Sequence, residues 1–265
     1  MRSGEVRYVA IGDSFTEGMG DELPDASVRG WADLVAAGLA AATDQPVHYA
    51  NTAVRGRLLA PVVTEQLEAA LAMDPAPTLI TLNGGGNDMM RPGCDVARLV
   101  GLTEQAVLRC AGAGVQLVLL SGADPTARLP YGRTMHRRGV ALTGAVAALA
   151  ARHGLLFVDA FGDQELRRPG YWSPDRLHLG PAGHRRVAGL VLSALGHPAT
   201  AHVIDPAPAG SRRLGVEARW YREHLLPWAL RRLARRSSGD GRTGKHQDWA
   251  LVPAGPAVPA DERTR

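Results

Sequence analysis

The stretch VRYVAIGDSFTEG, residues 6–18, decides how this chain is read. Val6, Tyr8, Val9, Ala10 and Ile11 form a short β-branched and aromatic run, the pattern of a strand buried on both faces. The run stops at Gly12, which permits a tight turn that a side chain would obstruct. Ser14 is thereby predicted at the carboxyl end of a strand, where open α/β sheets collect their sites. Asp13 and Ser14 are also ordinary helix-capping residues, and the turn alone does not separate the two readings.

Working outward, four more apolar runs read as buried strands: Val47–Ala50, Thr78–Leu82, Gln116–Leu120 and Leu155–Val158. Between and after them lie stretches rich in Ala and Leu at helical spacing: Arg29–Ala42, Pro61–Ala72, Val96–Gly112, Met135–His153 and Pro181–Leu195. Pro181 suits the first turn of the last of these. Strand–helix alternation implies a parallel sheet with right-handed crossovers and helices on both faces. The predicted fold class is α/β, a three-layer α/β/α sandwich around a flavodoxin-like, doubly wound, five-stranded parallel sheet. It is expected to occupy residues 1–200, with no internal repeat.

Beyond that domain, residues 211–236 place Leu214, Ala218, Tyr221, Leu225 and Trp228 at intervals of four and three, the stripe of an amphipathic helix. Pro227 is expected to bend or break it. From Ser211 to Lys245 there are ten Arg or Lys and three Asp or Glu, so this segment carries +7 against the chain's net +4, and the remainder is slightly acidic. The segment reads as a helix packed on the core with a solvated basic face. Two alternatives are weak contact with an anionic membrane surface and contact with nucleic acid, the second being the least favoured. Residues 237–265, rich in Gly, Pro and polar side chains, read as a disordered tail.

Composition bounds the rest. Hydrophobic residues make up 45% of the 265, a globular level, and no apolar run has the length of a membrane span. The first strand begins by Val6, which leaves no room for a signal peptide and makes the cytoplasm the expected compartment. Cys94 and Cys110 match no zinc spacing and read as two reduced thiols, with a single disulfide left open. No His, Asp or Glu cluster has metal-ligand spacing, and no P-loop lysine follows NGGGND, so no cofactor or metal is expected.

The strand ends carry the chemistry. The first leads to Ser14, the second through HYANTAVRG to Gly56, the third through LITLNGGGND to Asn87 and Asp88. After the fifth, the loop SPDRLHLG carries Asp175 and His178. In a sheet of order 2-1-3-4-5, strands two and three flank strand one, so Ser14, Gly56 and Asn87 become neighbours. His178 starts three strand spacings away, each about 4.8 Å, and the loop after Asp159 is long enough to bring it back. His184 is the competing histidine, but it lies inside a predicted helix and lacks an acid three residues back.

Gly12-Asp13-Ser14, Gly56, Gly85-Gly86-Asn87-Asp88 and Asp175-Arg176-Leu177-His178 stand in the order of the sequence blocks of SGNH hydrolases of the GDSL lipase/esterase type, and the chain resembles that family across most of residues 6–195. Phe15 replaces the leucine of the name motif, and Leu179 stands where proline often follows the histidine. The resemblance implies an ester hydrolase acting on a small-molecule ester, with Ser14 as nucleophile, His178 as base and Asp175 as its orienting acid. It further implies an oxyanion hole made of the Ser14 and Gly56 N–H groups and the Asn87 side chain. Every residue so assigned precedes Gly196. An acyltransferase using the same acyl-enzyme, and a membrane-surface protein acting through the basic segment, are the alternatives.

Overall fold

The computed structural model describes residues 5–129, 132–198, 206, 222 and 238–255. The expected helix at 211–236 lies outside the described residues, apart from Arg222.

In chain order the strands are β1 (Val6–Ile11), β2 (Val47–Asn51), β3 (Leu79–Asn83), β4 (Gln116–Leu120), β5 (Leu156–Val158) and β6 (His246–Val252). The helices are α1 (Ser14–Glu17), α2 (Trp31–Thr43), α3 (Leu59–Pro61), α4 (Leu67–Leu71), α5 (Gly86–Met89), α6 (Val96–Ala113), α7 (Gly132–Arg152) and α8 (Pro181–Ala194). The stretch expected as one helix over Pro61–Ala72 is broken: a π turn at Val62–Gln66 joins α3 to α4.

The sheet runs β5-β4-β3-β1-β2-β6. Its first five members are parallel and reproduce the expected order. The sixth corrects two expectations. The sheet has six strands and is mixed, because β6 pairs antiparallel with β2, Val47 opposite Val252 and Asn51 opposite His246. The residues between 246 and 252 therefore form an edge strand rather than a disordered tail. The Gly/Pro-rich composition hides HQDWALV, a seven-residue strand whose burial is only partial on both faces and which lacks the apolar run of the buried strands.

Alternation along the strands divides the core between two layers. Tyr8 and Ala10 of β1, with Leu79, Val118 and Leu120, face α2 and α8 through Trp31, Val35, Leu39, Val187 and Val191. Val9 and Ile11, with Ile80, Leu82, Leu117 and Leu119, face the other helices through Leu59, Val62, Leu67, Val107 and Leu149. The chain leaves β1 toward β2 on one side and returns to β3 on the other. The crevice at the carboxyl ends of β1 and β3 is thus the topological switch point, where such sheets hold their sites.

Candidate active site

Ser14 is the first residue of α1, immediately past the end of β1. The turn before it needs Gly12: a Cβ there would sit 2.7 Å from the Asn83 carbonyl oxygen and 2.6 Å from Thr16 Oγ1. Asp13 does cap the helix, accepting from the Phe15 N–H at 3.1 Å, so the capping reading holds for Asp13. Ser14 does something else. Its Oγ lies 3.0 Å from His178 Nε2, and His178 Nδ1 lies 2.6 Å from Asp175 Oδ2.

The loop that returns His178 is stiffened at its base. Trp172 bridges Leu179, the Ser173 N–H donates to the His178 carbonyl, and the Trp172 indole donates to the Leu166 carbonyl. Leu179, at the position where proline often stands in similar sequences, is buried in the core. Asp175 Oδ1 accepts from the Leu177 and His178 N–H groups, each at 2.9 Å, and from Ser173 Oγ at 2.6 Å. Burial alone would raise the Asp175 pKa. The His178 ring, its positive charge when protonated, and these donors outweigh burial and hold the carboxyl well below the usual carboxylate range.

Gly56 adopts φ +76°, a left-handed conformation that favours glycine, on a loop stitched to the extension of β1 by Thr52 N–H to Ala10 O and Val54 N–H to Gly12 O. Among the described residues, neither the Ser14 nor the Gly56 N–H donates to a protein acceptor. Asn87 lies beside them in α5, but its amide already has two acceptors: Nδ2 donates to Asp13 Oδ2 at 3.0 Å and to the Arg57 carbonyl at 3.1 Å. Asp88 accepts from the Leu59 N–H and holds α3 against this loop. Burial pushes the Asp13 carboxyl up to about 6, against the opposing pull of the Phe15 N–H, His178 and Asn87.

Several supports escape sequence reading. Gln66, in the π turn, grips Gly12 from both sides: its Oε1 accepts from the Gly12 N–H at 2.8 Å and its Nε2 donates to the Gly12 carbonyl at 3.0 Å. π turns recur at functional sites, but one cannot be seen in a sequence of helical period. Glu17, buried at the end of α1, accepts from the Arg55 N–H at 2.6 Å and from its guanidinium, tying the helix that carries Ser14 to the residue before Gly56. His184, the competing histidine, is fully buried and has a bracing role. The Trp31 N–H donates to its Nδ1 at 3.2 Å and its Nε2 donates to the Met19 carbonyl at 3.0 Å, so α8 is pinned beside α1 and α2. Both ring nitrogens are thereby used, and burial holds its pKa below 6.5.

Asp124, on the loop after β4, has its Oδ2 2.8 Å from Nδ1 of His136 in α7, and Arg138 of the same helix donates to the carbonyls of Met89 and Arg91 at the end of α5. Cys94 and Cys110 are free thiols. Among the described residues no three-residue cluster suited to a metal ion occurs, and no helix is long and apolar enough to cross a membrane.

A serine, a histidine and an aspartate are thus joined in that order at the switch point of a predominantly parallel sheet. The chain belongs to the GDSL-like lipase/acylhydrolase family, whose pattern it matches over residues 10–186. Solved structures share the fold. They include a lipase from a goat rumen metagenome at 16% identity and a TM-score of 0.60, covering 74% of this chain and 99% of that one. A mutant of an acetylxylan esterase from Geobacillus stearothermophilus matches at 20% identity and 0.59, covering 74% and 97%. A lipase/acylhydrolase from Enterococcus faecalis matches at 20% identity and 0.58, covering 77% and 100%. No curated protein matches the chain in sequence.

Proposed function

We propose that this chain is a serine-dependent ester hydrolase in which Ser14, His178 and Asp175 act as a catalytic triad through an acyl-enzyme. The observation that carries the reading is the continuous chain of contacts from Ser14 Oγ to His178 Nε2 at 3.0 Å and from His178 Nδ1 to Asp175 Oδ2 at 2.6 Å. Family membership supports an ester of a small molecule as substrate, and the acetylxylan and lipase activities named for its structural neighbours are consistent with either a short or a longer acyl group.

His178 accepts the Ser14 proton at Nε2 as Oγ attacks the ester carbonyl. Asp175 holds the ring in the tautomer that leaves Nε2 free and stabilises the imidazolium that results. Its low pKa suits it to that task, since it stays an anion throughout. The oxyanion falls toward the two unpartnered N–H groups of Ser14 and Gly56, and Asn87 supplies a third donor by exchanging its bond to Arg57 O for the oxyanion while keeping Asp13. His178 then gives its proton to the departing alcohol, the Ser14–acyl bond is attacked by water with His178 again as base, and the carboxylic acid leaves.

A p-nitrophenyl ester series from acetate to palmitate tests this. The expected result is turnover of at least one member, with a pre-steady-state burst or covalent trapping at Ser14. Absence of both turnover and trapping across the series would contradict the proposal.

A further inference from the structure

The family match ends at residue 186, and the solved neighbours are covered almost whole while leaving about a quarter of this chain unmatched. Residues 238–255 nevertheless return to the catalytic half of the sheet. β6 pairs with β2, the strand that leads to the Gly56 loop, and His246 packs edge-on against the Tyr49 ring with centroids 5.8 Å apart. Gly239 lies so close to the Arg55 carbonyl that any Cβ would collide with it.

Just before β6 stands Lys245, the only lysine in the sequence. Its side chain is 16% exposed and its ammonium group is saturated: Nζ lies 2.6 Å from Asp33 Oδ2, 2.8 Å from the Glu17 carbonyl and 3.0 Å from the Val28 carbonyl. An ammonium has three N–H bonds, and all three are spent here. Lys245 is thus withdrawn from the basic surface that the charge count of 211–245 suggests.

The Glu17 carbonyl closes α1, whose first residue is Ser14. A four-residue helix cannot sustain itself, because nucleation costs more than one turn of hydrogen bonds returns. Its geometry is set by what grips its ends. At the start Gln66 holds Gly12; at the finish Asn51 Nδ2 donates to Thr16 O at 3.0 Å and Lys245 donates to Glu17 O. A cation at a helix carboxyl end also complements the partial negative charge there. The Glu17 side chain meanwhile holds Arg55, next to Gly56. One amine therefore sits under the element that carries Ser14 and binds the same residue, Glu17, whose side chain clamps Arg55 beside Gly56.

We infer that Lys245 is a positioning residue: the C-terminal arm, lying outside the family's matched region, inserts it to fix α1, and full turnover requires the arm. The turnover part rests on the proposed esterase reading, whereas the anchoring part does not. Every residue assigned to the chemistry still precedes Gly196, and Lys245 acts on that region from outside it.

The test is Lys245→Met in the full chain, read two ways. For a p-nitrophenyl ester that the parent hydrolyses, kcat is expected to fall about tenfold with KM within twofold, since the ester-binding surface is untouched. Amide hydrogen exchange over residues 12–20 and 53–58 is expected to quicken about tenfold or more, with α6 unchanged. Leu251→Ala, an exposed change on the same strand, is expected to alter neither. Should Lys245→Met fail to fold, Lys245→Arg carries the comparison, because it keeps the pairing with Asp33 but cannot place one atom on all three acceptors; kcat two- to fivefold down at constant KM is expected. Exchange at 12–20 equal to the parent's, or full turnover in a folded variant, would overturn the inference. If the parent hydrolyses no ester but the exchange still quickens, the esterase reading falls and the anchoring stands.

Discussion

Gln66→Glu converts the clamp on the Gly12 turn, which leads into Ser14, into a pH-dependent one. The native amide both accepts from the Gly12 N–H and donates to the Gly12 carbonyl, and the residue is buried. A protonated glutamic acid reproduces both bonds. An ionised glutamate still accepts but withdraws one of the two donors on the buried Gly12 carbonyl, leaving the Val54 N–H alone, and sets a negative charge against it. Losing one hydrogen bond of this kind costs about 0.5–1.5 kcal/mol, which read wholly in the barrier is roughly 2- to 12-fold in rate before the repulsion of the new charge is added. Burial raises the new carboxyl's pKa above its usual value. On the alkaline side the parent's kcat is expected to stay level. The variant's is expected to fall there, an alkaline limb that belongs to the introduced carboxyl. Steady-state kcat from pH 4.5 to 9.5 on a soluble p-nitrophenyl ester, with circular dichroism at each pH to keep folded fraction separate, measures it. A variant profile parallel to the parent's would refute the clamp.

Asn87→Ala is expected to lower kcat by roughly 10²–10³ with little change in KM, and Asn87→Asp at least as much, since a second carboxylate would then face Asp13; full turnover in Asn87→Ala would show the residue to be misassigned. His184 is held neutral by burial, its pKa lowered below 6.5, so its contribution to stability is complete above pH 6.5 and is lost as pH falls through the depressed value. Asp13 acts oppositely: its pKa is raised from 3.8 to about 6, so it favours the folded state increasingly as pH falls across that range. The difference in Tm between the parent and His184→Gln, which keeps a donor and an acceptor but cannot titrate, isolates the histidine. The parent's Tm is expected to fall more steeply below pH 6.5, and parallel curves would contradict the assignment.

What can be read from the sequence follows a physical pattern. β1 and β4 fall on their predicted boundaries because strands buried on both faces are continuous apolar runs with no competing period. The juxtaposition of the proposed triad residues is legible from position: Ser14 follows a run broken by glycine, Asp175 and His178 stand three apart in a polar loop, and the fold brings the three into contact. β6 is illegible for the opposite reason. An edge strand only partly buried on both faces reads HQDWALV, and its paired residues in β2 lie about two hundred positions away. Gln66 is hidden by a π turn that leaves helical composition unchanged. His184 looks like a lesser catalytic candidate because burial and two backbone partners, which make it a brace, leave no mark on the residues around it. Asn87 stands at its expected place, yet its engagement with Asp13 and Arg57 depends on loop geometry that spacing does not encode.

The central claim is that Ser14 is the nucleophile activated by His178. A fluorophosphonate probe reports this directly, because it reacts with an activated serine and marks the residue it modifies. Mass spectrometry of the labelled parent is expected to place a single adduct on the peptide containing Ser14, with labelling abolished in Ser14→Ala and sharply slowed in His178→Ala. Ester turnover by Ser14→Ala is expected to be lower by on the order of 10⁶-fold in kcat. An adduct on any other serine, or undiminished turnover by Ser14→Ala, would contradict the account.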